Sequence, residues 1–256
     1  MKAQMVFKRY EFKYLITKEQ KEDLKLYMRE KMECDKYGKS TIRNVYFDTP
    51  TFLLIRRSLE KPVYKEKLRM RSYKTVASDD LVFVELKKKF KSVVYKRRIA
   101  MPNDAAMHWL CTGMGTKQLD QIGKEIQYAV DFYKEIGPAM FISYNREAYF
   151  GKEDTNFRIT FDEEIRWRRE KLSLENGIYG SLLLPDGKVL MEVKTAYAIP
   201  LWMTGWLARN KVYRTSFSKY GQAYERMFEK NQEISFENRK INGGNGHERD
   251  NIQRAV

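Results

Sequence analysis

The sequence predicts a mainly β (α+β) fold of eight antiparallel strands, with helices between and after them. About eight segments alternate apolar and charged residues with the two-residue period of a β-strand. No internal repeat or linker divides the 256 residues. Because a chain of this length often forms one all-β domain, we predict one domain over residues 1–230 and a flexible tail over 231–256.

The strands follow from this alternation in chain order. In the first, Val6–Ile16, the apolar residues Tyr10 and Phe12 share one face, while Glu11 and Lys13 share the other. The same pattern predicts seven further strands: Thr41–Asp48, Tyr64–Tyr73, Leu81–Lys88, Ser92–Ala100, Met140–Phe150, Arg158–Asp162 and Lys188–Lys194.

Helices are predicted between and after these strands. Thr17 and Gln20 have the spacing of a capping box, so we expect a helix to start at Thr17. Further helical patterns cover Ala105–Cys111, Lys117–Ile136 and Trp202–Glu229. From Asn231 onward the sequence is polar and rich in glycine, which is typical of a flexible tail.

The net charge points to a polyanionic partner. Lysine and arginine exceed aspartate and glutamate by 15, which suits nucleic acid, an anionic membrane surface or phosphates. A plain excess of surface lysine is the alternative. We find no aromatic stacking motif and no recognised nucleic-acid reader, so we predict no nucleic-acid partner.

Several classes of site and location are disfavoured by composition. Two cysteines, Cys34 and Cys111, cannot form a disulfide framework and fit a reducing compartment. Two histidines, His108 and His247, argue against a His/Cys zinc site or a histidine triad. Since no signal peptide and no apolar run of about 18 residues is present, we expect a cytoplasmic protein without a transmembrane segment.

The charged faces of the strands carry mostly arginine and lysine. Lys67, Arg69 and Arg71 alternate with Leu68 and Met70, and the same pattern recurs on the later strands. These faces are either the solvated side of a half-buried sheet or the inner side of a barrel with a polar lumen. Buried cations need an anion to neutralise them, and both residue types suit phosphate oxygens.

Few carboxylates share these faces: Glu11, Glu85, Asp162 and Glu192. Hard oxygen ligands of this kind suit Mg²⁺ or Mn²⁺, which bridge carboxylate and phosphate oxygens. For each acid, an ion pair with a neighbouring base is an equally open interpretation.

Eight short motifs together resemble the VTC domain, a family of the triphosphate tunnel metalloenzymes. In order, across residues 6–225, they are Arg9–Tyr14, Val45–Thr49, Lys67–Tyr73, Phe83–Lys87, Tyr144–Arg146, Arg158–Asp162, Glu192–Lys194 and Ser216–Tyr220. The resemblance implies an eight-stranded antiparallel barrel, closed into a tunnel that is open at both ends.

The resemblance also implies a polyphosphate polymerase, which moves the γ-phosphoryl group of ATP onto a growing polyphosphate chain with a divalent metal. It implies catalytic roles for the cations Arg69, Arg71, Lys87, Arg146 and Arg158. Substrate binding is predicted for Lys13, Lys67, Lys96, Arg98, Lys194 and Lys219. Glu192 matches the metal-binding glutamate of the family, and Glu11 and Glu85 are further metal candidates. The expected cofactor is Mn²⁺ or Mg²⁺, and the expected partners are ATP and inorganic polyphosphate.

Two alternatives stay open beside the polymerase. Related tunnel hydrolases begin with Glu-x-Glu-x-Lys, whereas this chain has Arg9, Glu11 and Lys13 at those positions. Hydrolysis needs a positioned water and usually a base, while phosphoryl transfer depends mainly on alignment and charge neutralisation. The first alternative is a metal-dependent tripolyphosphatase or nucleoside triphosphatase, and the second is a non-catalytic polyphosphate-binding module.

Regulation and transport coupling are not carried over from the eukaryotic relatives. Those proteins contain an N-terminal phosphate-sensing domain and membrane helices, and these 256 residues contain neither. A membrane-protein partner therefore stays open, as does the oligomeric state.

Overall fold

One antiparallel sheet of ten strands forms the body of the protein in the computed structural model, which describes residues 10–91, 93–115 and 119–229. The strands are β1 (Tyr10–Thr17), β2 (Met32–Asp48), β3 (Tyr64–Ser72), β4 (Leu81–Phe90), β5 (Val93–Pro102), β6 (Gly137–Gly151), β7 (Arg158–Arg168), β8 (Ser181–Leu182), β9 (Lys188–Thr195) and β10 (Arg214–Thr215). Each of the eight predicted strands corresponds to one of the eight long strands. Arg9 and the predicted tail at 231–256 lie outside the described residues.

The sheet order is β10-β1-β9-β7-β6-β2-β3-β4-β5, with the short β8 paired to β7. The predicted mainly β, antiparallel class is confirmed, with one difference. Within the described part of the chain, no backbone pairing joins β5 to β1 or β10. The sheet instead curls until side chains from its two ends meet, and Lys87 Nζ on β4 lies 3.9 Å from Glu11 Oε2 on β1.

Six helices flank the sheet in the described ranges: α1 (Lys18–Tyr27), α2 (Leu53–Leu59), α3 (Asn103–Thr112), α4 (Gln121–Tyr133), α5 (Leu201–Arg209) and α6, residues 219–229. The predicted capping box is present, because Thr17 Oγ1 accepts from Gln20 N and Gln20 Oε1 accepts from Thr17 N. The helix predicted from Trp202 to Glu229 is two helices, since Arg214 and Thr215 pair with β1 between them.

The helices cover the outer face of the sheet. Over β3 to β5, Leu68, Val84 and Leu86 are fully buried against Trp109 of α3 and Ile126 of α4. A second cluster joins α1 and α5 to β1, β7 and β9. Burying each large apolar side chain contributes about 1.5–3 kcal/mol. Because side chains alternate along a strand, this outward packing turns the charged residues toward the inner face.

The C-terminal helix α6 packs into one end of this inner face. The Tyr220 ring stacks on Tyr46, with ring centroids 4.6 Å apart, and lies in one apolar cluster with Ile142 and Trp167. Asp48, at the end of β2, accepts hydrogen bonds from Tyr220 Oη and from the first amides of α2. This anchor fixes the segment just before α6 above the charged residues of the strands.

Each helix within the described ranges is either too short or too polar to cross a membrane.

Candidate functional site

The inner face brings together ten of the eleven predicted cations. They come from β1, β3, β4, β5, β6, β9 and the start of α6: Lys13, Lys67, Arg69, Arg71, Lys87, Lys96, Arg98, Arg146, Lys194 and Lys219. The four predicted carboxylates lie among them. Positive charge is therefore in excess on this face, and the carboxylates divide the cations into two clusters.

The first group, which we call the Glu85 cluster, surrounds an almost fully buried carboxylate. Arg69 donates to Glu85 Oε2 from Nε at 2.9 Å and from Nη2 at 2.7 Å. Lys96 Nζ lies 2.9 Å and Arg98 Nε 2.7 Å from Glu85 Oε1. Burial alone would raise the pKa of Glu85, but the attraction of Arg69 and Arg71 lowers it overall.

Cross-strand register creates this cluster. Glu85 is the direct partner of Arg69 on β3 and of Arg98 on β5, and side chains at such positions have Cβ atoms about 5 Å apart. One carboxylate therefore orients guanidinium groups from both neighbouring strands. Their remaining N–H groups are then free to bind another anion.

The second group, the Glu192 cluster, contains the buried pair Asp162 and Glu192. Arg146 donates two hydrogen bonds to Asp162, from Nε to Oδ1 at 2.6 Å and from Nη2 to Oδ2 at 2.7 Å. Lys219 Nζ lies 2.5 Å from Asp162 Oδ2 and 3.3 Å from Glu192 Oε1. Burial opposes ionisation of Glu192, yet Lys219, Lys194 and Arg146 hold its pKa well below the usual value.

Lys67 on β3 has no acidic partner in the described part of the chain. Its Nζ donates to Ser218 Oγ at 2.8 Å, and among the described residues no carboxylate oxygen lies within 4.0 Å of it. Burial, followed by repulsion from Lys13 and Lys87, lowers the pKa of Lys67 to about 7. A bound anion would supply the counter-charge that this position lacks.

Arg158 lies on the inner face as the direct cross-strand partner of Lys194, but its ion pair is outside both clusters. Its Nη2 lies 3.3 Å from Asp35 Oδ2 on the first part of β2, and its side chain is 38% exposed. The catalytic role inferred for Arg158 from the family stays a prediction. Its position at the edge of the inner face suits contact with a ligand that extends beyond the two clusters.

Three neutral residues that position the arginines were missed by sequence reasoning. Arg71 donates to Asn44 Oδ1 at 2.9 Å and to Tyr144 Oη at 3.1 Å. Arg69 Nη1 donates to Tyr46 Oη at 3.0 Å. Asn44 and Tyr46 alternate with the outward-facing Val45 on β2, and this alternation was the signal that could have revealed them.

The predicted metal ligands do not form a preassembled cage. Within the described residues, no three His, Cys, Asp or Glu side chains are grouped as a metal site. Glu11 and Glu192 both lie near Lys13 Nζ, at 3.4 and 3.8 Å, whereas Glu85 belongs to the other cluster. Mg²⁺ is usually held by one or two carboxylates together with substrate phosphates and waters. Glu11 and Glu192 fit that requirement.

The chain is similar to one known protein family and to several solved structures. The family model of the VTC domain matches residues 8–228. A candidate adenylate cyclase from Bacillus halodurans has a similar structure, with a TM-score of 0.51 at 12% identity over 83% of this chain and 94% of that chain. A candidate adenylyl cyclase from Hippeastrum with a dominant triphosphatase activity has a TM-score of 0.48 at 16% identity, over 82% and 92% of the two chains. No curated protein matches this chain.

Proposed function

Because the chain belongs to the VTC domain family, we propose that it is a polyphosphate polymerase. It transfers the γ-phosphoryl group of ATP to the end of an inorganic polyphosphate chain held along the inner face. The observation that supports this most directly is the excess of cations there, with Lys67 lacking any acidic partner among the described residues. A polyanion neutralises such a surface along its whole length.

The arginines are preorganised for phosphate. Glu85, Tyr46, Asn44 and Tyr144 fix the guanidinium groups of Arg69 and Arg71 before any ligand binds. Donors held in place where charge develops need no reorganisation during the reaction. An arginine guanidinium can donate two parallel hydrogen bonds to phosphate oxygens, whereas a lysine ammonium acts as a point charge. Arg69, Arg71, Arg146 and Lys87 would align the donor and acceptor phosphates.

The acids of the site favour transfer over hydrolysis. The pKa of Glu11 is lowered to about 2, since Lys87 and other cations outweigh the effect of burial. The pKa values of Glu85, Asp162 and Glu192 are also lowered. A general base works best with a pKa near the operating pH, so these carboxylates are weak bases for activating water. The terminal phosphate of a polyphosphate chain is already anionic and needs no base.

A divalent ion, Mn²⁺ or Mg²⁺, is part of the proposal. Glu192 and Glu11 would hold it, and when bound it neutralises charge on the transferred phosphoryl group. Lys13, between the two carboxylates, keeps them close in the absence of the ion. We place the protein in the cytoplasm, where ATP and a reducing environment are present.

One experiment separates the three candidate functions. Purified protein is incubated with ATP and Mn²⁺, and the products are resolved on a gel for polyphosphate while ADP and free phosphate are assayed. The polymerase yields polyphosphate chains and ADP with little free phosphate. Stoichiometric free phosphate without polymer would identify a triphosphatase. Tight tripolyphosphate binding without either product would identify a binding module. Arg226→Gln, in an exposed ion pair with Glu229, is the matched charge control.

A further inference from the structure

A row of polar residues crosses the outer face of the sheet, on the opposite side from the tunnel. Arg43 on β2 is the direct cross-strand partner of Ser143 on β6, and Ser143 is the direct partner of Arg166 on β7. Their outward direction follows from their neighbours. Val45 and Phe141, two residues away on β2 and β6, are buried in the outer core. The three side chains therefore point away from the ten clustered cations.

This row contains polar atoms without partners among the described residues. Ser143 is fully buried, and no described residue hydrogen-bonds to its Oγ. Arg43 Nε is buried and is likewise unpartnered within the described ranges. Arg166 Nη1 donates to the Gly180 carbonyl oxygen at 3.2 Å. Buried donors without acceptors are rare in proteins, and each needs a reason.

Carboxylates do not neutralise this row. Among the described residues, no acidic oxygen lies within 4.0 Å of the guanidinium groups of Arg43 or Arg166. The exposed Glu164, two residues from Arg166, accepts from Asn145 Nδ2 at 2.6 Å instead. Burial lowers the pKa of Arg43, and no acidic neighbour offsets that effect.

Other buried basic residues at the outer face have partners that compensate their charge, as expected for a structural role. Lys21 is buried between Glu147 and Glu163, at 2.5 and 2.9 Å. Arg168 has no acidic partner among the described residues, but it donates to several backbone carbonyls and lies over the Phe141 ring at 3.5 Å. Arg166 has one such contact, with the Gly180 carbonyl, and Arg43 has neither kind of compensation among the described residues, although both lie on the same face.

We propose that Arg43, Ser143 and Arg166 form a second anion site, which binds a phosphoryl group on the outer face of the sheet. Neighbouring strands are about 4.8 Å apart, so the two arginine Cα atoms are separated by roughly 10 Å with the serine between them. Two long side chains at that separation can converge on one ligand above the serine. The two positive charges balance a phosphate dianion, whereas a single carboxylate would leave one charge uncompensated. This site does not depend on the proposed polymerase activity.

Soaking crystals in tungstate, a tetrahedral dianion with a strong anomalous signal, tests the site directly. We expect an anomalous peak between Arg43 and Arg166 in addition to peaks in the tunnel. In the double variant Arg43→Gln/Arg166→Gln, the outer peak should disappear while the tunnel peaks remain. Arg97→Gln, on β5 in an ion pair with Glu125, is the control and should keep both. A wild-type crystal with tunnel peaks alone would overturn the proposal.

A milder variant keeps the test valid if the double variant does not fold. Ser143→Ala removes a buried hydroxyl that has no partner among the described residues, so the variant should be at least as stable without phosphate. The rise in Tm caused by 10-fold steps in inorganic phosphate should be smaller in the variant than in wild type. An unchanged phosphate dependence would mean that Ser143 does not contact the anion. The same titration is repeated with tripolyphosphate. The preferred ligand, free phosphate or the end of a phosphate chain, is the one that gives the larger difference in Tm rise between wild type and Ser143→Ala.

Discussion

Tyr220 on α6 donates its hydroxyl hydrogen to Asp48 Oδ2 at 2.9 Å, and this bond ties the C-terminal helix to the end of β2. The same carboxylate accepts from the amides of Leu54 and Ile55. One buried acid thus anchors two helices. Ser218 and Lys219, which precede Tyr220, are held over the tunnel by this anchor.

Removing this hydroxyl should loosen the helix that carries Lys219. We expect Tyr220→Phe to lower the free energy of unfolding by about 1–3 kcal/mol, because Asp48 loses a buried hydrogen-bond donor. Affinity for tripolyphosphate should fall as well. Urea denaturation and calorimetric titration measure the two effects. Tyr224→Phe, one turn later on α6, removes a hydroxyl outside this anchor and should leave both quantities unchanged.

Glu192→Gln should separate metal use from phosphate binding. The substitution keeps the shape of the side chain and removes the charge that a hard cation requires. Transfer activity should fall steeply, and the Mn²⁺ concentration needed for activity should rise. Tripolyphosphate binding without metal should persist, since Lys219, Lys194 and Arg146 each lose one acidic competitor. Full activity in this variant would remove Glu192 from the metal site.

The lowered pKa of Lys67 predicts a specific pH dependence of tripolyphosphate binding. Its pKa is lowered to about 7 in the free protein, by burial first and then by Lys13 and Lys87. A bound polyanion favours the charged form and raises this pKa. Above pH 7, binding must therefore take up a proton, so affinity should decrease with rising pH by at most about tenfold per unit.

The variant Lys67→Met isolates this effect from ionisation of the ligand itself. Tripolyphosphate affinity is measured from pH 6 to 8.5 for both proteins, and the wild-type curve should be steeper. Buffers with different ionisation enthalpies report the proton uptake calorimetrically. Parallel curves would show that Lys67 does not change its protonation on binding.

Arg71 should contribute to tripolyphosphate binding through the geometry of its guanidinium group as well as through its charge. We expect Arg71→Ala to cost roughly 1.5–3 kcal/mol of tripolyphosphate binding, the scale of a hydrogen bond to a charged group. Arg71→Lys should rescue only part of the loss, because the forked contact with Asn44 and Tyr144 is gone. Complete rescue by lysine would mean that charge alone matters at this position.

The sequence predicted the eight long strands and the charged inner face because alternation is a local signal. It did not predict the first part of β2, from Met32 to Lys39, which is polar and turns at Gly38 with φ +54. It also missed α2, whose first amides are capped by Asp48 from β2. The break between α5 and α6 was missed because it depends on a pairing with β1, which is distant in the chain.

The sequence predicted the charged residues of the candidate site. It did not predict which of them contact one another. The charged faces indicated which cations would share a surface. The grouping around Glu85 depends on the register of β3, β4 and β5, and no short sequence window encodes that register. The ion pair of Arg158 was not predictable either, since its acidic partner, Asp35, lies in the part of β2 that was not predicted.

The gap between β5 and the β1–β10 edge has a consequence for how a long ligand leaves the inner face. Along the described strands, no backbone ladder joins these two edges, and the nearby strands β4 and β1 meet only through side chains such as Lys87 and Glu11. They can separate without breaking a row of main-chain hydrogen bonds, and such local opening requires far less free energy than global unfolding. In the proposed polymerase, a polyphosphate chain of any length can then leave sideways through this seam, so release does not have to slow as the chain grows.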